Sequence, residues 1–122
     1  MNVLLLIAGL LSILLGLAHS LLGERLIFKG WRKTPPAIPR RHQNIIWASW
    51  HIGSFLGFGI GGALIWLSHF PDWTSGLAPM LMSLFVGFVL SGLIVLYGTR
   101  GKHPGWIVLL AIAALTLLST RL

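Results

Sequence analysis

MNVLLLIAGLLSILLGLAHSLLGERLIF, residues 1–28, decides the fold. Its only charged side chains are Glu24 and Arg25. The apolar run from Val3 to Phe28 exceeds the roughly 20 residues that a helix needs to cross a bilayer. A secretory signal has a basic leading segment and an apolar core of about 7–15 residues. Here no Lys or Arg precedes Arg25 and the apolar run is longer, so the stretch reads as a retained first membrane span.

Three further stretches repeat the pattern: Ile45 to Leu67, Leu77 to Tyr97, and Pro104 to Thr120, the shortest. Together they predict an all-α fold, an integral membrane four-helix bundle. Residues 1–122 form one transmembrane domain, with spans at about 3–28, 45–67, 77–97 and 104–120. HFPDWTSG and GTRGKH are short turns, so consecutive spans are expected to run as antiparallel hairpins. KGWRKTPPAIPRRHQN is the one long connection, and its three prolines argue against helix there.

Composition agrees. Apolar residues make up 56% of the chain and charged residues 9%, against roughly 25% charged in a soluble domain. The net charge of +7 does not indicate nucleic acid, because the basic residues lie between apolar runs and not on a soluble face. The absence of cysteine excludes disulfides, thiolate metal sites and cysteine nucleophiles.

Arg25, Lys29, Arg32, Lys33, Arg40 and Arg41 surround the first loop, and Arg100 and Lys102 lie in the third. The second holds Asp72 and no Lys or Arg. The positive-inside rule then places loops one and three in the cytoplasm and both termini outside. Trp31, Trp66, Trp73 and Trp106 fall near span ends, as interfacial anchors do. Ser49, Gly53, Gly57 and Gly61 repeat every four residues in span two, as do Ser83, Gly87 and Ser91 in span three. Such stripes let helices approach closely in lipid, either within the bundle or at the seam of a homo-oligomer.

Ionisable side chains within spans are costly and mark candidate sites. His19, Glu24, His42, His51 and His103 all belong to the basic half. With span one ending at Phe28 and span two beginning near Asn44, His19 lies roughly 13 Å deep, His51 roughly 10 Å and Glu24 about 6 Å. His19 shares a stripe with Ser12, Gly16 and Gly23, which is expected to face the bundle. Glu24 lies roughly 140° around the helix from His19, so its expected partners are Arg41, His42 or His103 at the rim.

Three chemistries fit these residues. A haem b takes His19 and His51 as axial ligands, with Gly16, Gly23 and Gly53 leaving room and Arg25 or Arg41 neutralising the propionates. A non-haem iron, copper, zinc or manganese ion takes His19 and His51 with Glu24 or His103. A proton relay uses His and Glu alone, Glu24 being the carrier. The structural alternative is a histidine bonded to a carbonyl of the next helix, and a Glu24–Arg25 pair anchoring the rim. No Asp is placed for a Ser-His-Asp triad, and GFGIGG lies inside an apolar span as packing glycine.

RRHQN, residues 40–44, is similar to the R-x-H-x-N segment of the MAPEG family of glutathione-using membrane enzymes. Trp47 stands where that family has Glu, and span three lacks its Arg and Tyr pattern. The likeness spans five residues and carries no site residue over. HSLLGE, WHIGS and HPGW resemble elements of small four-span proteins of bacterial inner membranes, which implies a location and no activity. The expected function is a metal or haem centre supporting redox or metal-dependent chemistry on a lipid-soluble or small substrate. The alternatives are a non-enzymatic accessory or assembly subunit of a larger membrane complex, a small transporter, or a MAPEG-like glutathione enzyme.

Overall fold

The first apolar run does form one long helix. The computed structural model describes residues 1–70, 72 and 76–121; Trp73, an expected interfacial anchor, lies outside them. Helix α1 spans Val3–Gly23 and passes through a π-helical turn, Glu24–Phe28, into α2, Lys29–Lys33. Then come α3, Arg40–Ser68, α4, Ala78–Thr99, and α5, Gly105–Ser119. Among the described residues the regular structure is helical throughout.

Three of these rods are long and apolar enough to cross a membrane: Val3–Lys33, α3 and α4. The 15 residues of α5 reach only about 22 Å, short of the roughly 30 Å hydrocarbon core. Large apolar side chains such as Leu14, Leu26, Phe55 and Ile94 point outward along the bundle. That surface belongs in lipid, where their exposure costs nothing.

The long connection is shorter than expected. Residues 29–33 and 40–44 are helical, leaving 34–39 between helices. The prolines explain the difference. Pro35, Pro36 and Pro39 disrupt only their own neighbourhood, and α3 begins immediately after Pro39. At the end of α4, Arg100 adopts a left-handed conformation (φ 52°) and Gly101 comes next at φ 74°. The Gly101 N–H returns to Leu96 O at 2.9 Å and closes the helix.

Helix α1 packs between α3 and α5, and α5 packs in turn against α4. The spatial order is therefore α3–α1–α5–α4. Two of the expected hairpins pack face to face, but α3 and α4 do not, because α5 lies between α1 and α4. The α1–α3 pair is antiparallel in one register along its whole length. Asn2 meets Ser68, Gly9 meets Gly61, Ser12 bonds Gly57 O at 2.9 Å, and Glu24 meets Trp47.

Asn2 gathers one end. Its backbone N–H donates to Ser68 O at 2.7 Å, and its side-chain oxygen accepts the Leu5 N–H at 3.2 Å. Its Nδ2 donates to Ser119 O at 3.2 Å, so a single cap ties α1 to the last turns of α3 and α5. The core, comprising Leu5, Ala8, Leu64, Leu67, Leu81 and Ile112, lies at this same end. Toward the basic end the space between α3 and α4 opens into a cleft.

Of the small residues, Gly57 and Gly61 face α1, while Gly53 has open space above it. On α4, Ser83, Gly87 and Ser91 are not buried, and Gly92 makes the close approach to α5.

Candidate functional site

Helical geometry sends the neighbours His19 and Ser20 to different places, since successive side chains diverge by about 100°. Ser20 and Glu24, four residues apart, share the face that meets His51. Ser20 Oγ and His51 Nδ1 lie 2.5 Å apart, and His51 Nε2 lies 3.5 Å from Glu24 Oε2. Trp47 Nε1 donates to that same oxygen at 3.1 Å, and Arg32 donates to Oε1.

The expected rim partners of Glu24 are thus replaced by Arg32, Trp47 and His51. Trp47 and His51 come from the α1–α3 register; Arg32 comes with the π-turn, whose extra residue rotates every later side chain of the rod about its axis. That turn buries Phe28, with Trp31 and Trp50 edge-on to its ring, and brings Arg32 back onto Glu24. Both partners of the Arg32–Glu24 pair are substantially exposed, so the pair contributes about 1 kcal/mol or less.

His19 faces the other way, into the cleft. Its ring stacks on Trp50, with centroids 4.2 Å apart and planes 7° from parallel. Trp50 Nε1 donates to His19 O at 2.9 Å. The indole fits there because residue 23 is glycine; a Cβ would overlap it.

The cleft measures about 380 Å³ and draws its walls from α1, α3, α4 and α5. Its surface is mostly apolar, with His19, His103 and Ser54 among its polar members and Gly16, Gly53 and Gly57 along one side. His103 Nδ1 accepts the Gly105 N–H at 3.0 Å, which directs the proton of a neutral ring to Nε2. Ser54 is 1% exposed, and its Oγ has no hydrogen-bond partner among the described residues. The other buried hydroxyls, on Ser12, Ser68, Thr116 and Ser119, are all bonded to backbone carbonyls.

The structure therefore brings His19 and His103 to one cleft, whereas His51 joins Glu24 and Ser20 in a separate cluster. Arg25, Arg41 and His42 are exposed, and neither of the arginines lines the cleft. Among the described residues no group of three His, Asp or Glu side chains is placed to hold a metal ion. Trp50, Ser20, Ser54 and Arg32 are site residues that the sequence pattern does not single out. Trp50 and Ser54 stand within WHIGS, on either side of the histidine that its ionisable ring makes conspicuous.

Comparison with known proteins adds nothing to this geometry: no family model, no curated protein and no solved structure matches the chain.

Proposed function

We propose that this membrane protein binds a lipid-soluble molecule with a hydrogen-bonding head, taken from the bilayer into the cleft between α3 and α4. The observation that carries this reading is Ser54. A buried hydroxyl without a partner costs about 1–3 kcal/mol, and this one lies in the wall of a cavity whose size falls in the range of ligand pockets, roughly 300–1,000 Å³. Turned toward the cleft, that hydroxyl meets a bound head group, while the apolar walls receive the body. His19, held by Trp50, and His103 supply further polar contacts at the basic end. By the distribution of Lys and Arg, that end faces the cytoplasm.

Gly53 provides the test, because a Cβ added there meets nothing within 4 Å and a larger side chain can grow into the cleft. A long-chain fatty alcohol bearing a diazirine, photoactivated in nanodiscs, is expected to label the cleft walls. Gly53→Leu should lower that labelling about tenfold, the effect of losing roughly 1.4 kcal/mol of binding, with no fall in thermal stability. Equal labelling of wild type and variant would remove the proposal.

A second reading retains a metal or haem iron, with His19 and His103 as the imidazole ligands, since these two share the cleft. Bound there, such a centre would supply redox or Lewis-acid chemistry. Metal content per chain of the detergent-purified protein tests it. Near-stoichiometric iron, copper, zinc or manganese that falls at least about fivefold in His19→Ala is expected, the loss of roughly 1 kcal/mol or more of binding. A content unchanged by that substitution rejects the ligand role.

A further inference from the structure

A second pocket, about 140 Å³, lies beside the first turns of α3, where α2 ends. Trp31, Arg32, Arg40, Gln43, Asn44 and Trp47 line it. We infer that it binds the phosphate group of an anionic phospholipid at the membrane surface.

Position argues for a lipid. The continuous helix Val3–Lys33 has 31 residues and is about 46 Å long, well beyond the roughly 30 Å hydrocarbon core. The segment past the apolar run, which carries Trp31 and Arg32, therefore lies at headgroup level. Trp31 and Trp47 are side chains suited to that depth. The occupants of this layer are phosphodiesters.

Charge argues for an anionic one. Arg25, Lys29, Arg32, Lys33, Arg40 and Arg41 surround the first loop, and the only acid near them in sequence, Glu24, already receives Arg32 and Trp47. Among the described residues Arg40 has no carboxylate against it. Basic pockets at helix ends are where anionic head groups bind, and a guanidinium suits a phosphate's paired oxygens. Arg40 also opens α3, and among the described residues no side chain caps that helix. Its positive end is therefore free to add to the attraction.

The pocket is also built and not merely charged. Gln43 is buried, and its Nε2 donates to Ile38 O at 2.9 Å and Pro36 O at 3.5 Å. That amide folds the proline-rich connection onto α3's first turn. The opposite wall is fixed by Arg32 on Glu24 and by Trp31 edge-on to Phe28.

The test is native mass spectrometry of the detergent-purified chain with equimolar phosphatidylglycerol and phosphatidylcholine. Wild type should retain phosphatidylglycerol about tenfold over phosphatidylcholine, and Arg40→Gln should lose most of that preference. Arg121→Gln, exposed and at the opposite end of the bundle, should keep it. No preference in the wild type, or an equal loss in the two variants, overturns the site. Complete displacement of the lipid by excess inorganic phosphate overturns the lipid as its occupant.

Discussion

Gly61→Ala is expected to destabilise the protein by about 2 kcal/mol, an overpacking cost, while Gly62→Ala, one residue along, is expected to be neutral or stabilising by up to about 1 kcal/mol. The two glycines differ in what they face. A Cβ at Gly61 would lie 2.6 Å from Ile13 Cγ1 and 2.7 Å from the carbonyl oxygen of Gly9. A Cβ at Gly9 would in turn lie 2.6 Å from Gly61 O. These obstacles include backbone atoms, so no rotamer change relieves them and α1 must move away from α3. At Gly62 a Cβ meets nothing within 4 Å. Thermal unfolding in detergent or bicelles separates the outcomes. Because Gly9 and Gly61 form one contact, Gly9→Ala combined with Gly61→Ala should cost less than the sum of the two. Equal effects at positions 61 and 62 would mean that α1 and α3 do not cross there.

That pair also shows what the sequence makes legible. Three apolar runs match a bilayer's thickness and a fourth falls short of it, and composition alone reveals all four with their charge-bearing connections. The stripe of Ser12, Gly16 and Gly23 on α1 is buried as small residues at helical spacing should be. Which small residues meet a partner is another matter. Gly61 is buried and Gly53 open, though both stand in one four-residue series, because that series turns gradually around α3 as it leaves α1. On α4 the close approach falls to Gly92, one place beyond Ser91 in the regular series.

The histidines teach the same lesson. Depth matching puts His19 and His51 at one level, and the register does set residue 19 beside 50 and residue 20 beside 51. Level is a matter of rise along the axis, which counting gives. Direction is a matter of rotation about it, so the one-residue offset sends His19 to the cleft and His51 to Ser20 and Glu24. The π-turn is illegible for a related reason. Nothing local in ERLIF requires it; it accompanies the contacts that Phe28 and Arg32 make with α3 and with Glu24.

Gly23→Ala should have the second large effect, and it acts on the cleft as well as on stability. A methyl group at position 23 occupies the space of the Trp50 indole, so the ring must leave. Its departure ends the stack on His19 and the bond from Nε1 to His19 O together. Aromatic stacking is worth about 0.5–1.5 kcal/mol beyond area, and overpacking adds its own cost, so a loss of about 2–3 kcal/mol is expected in thermal unfolding. His19 then keeps its place on α1 but loses the surface that fixes its ring, and labelling of the cleft by the diazirine probe should fall severalfold. Gly30→Ala, with open space around it, is the control. Trp50→Leu in the Gly23→Ala background should recover part of the lost stability, because the smaller side chain vacates the space the methyl takes. It should not recover the labelling, because leucine cannot stack on the imidazole. Recovery of both would show that packing alone, and not the indole's hold on His19, prepares the cleft.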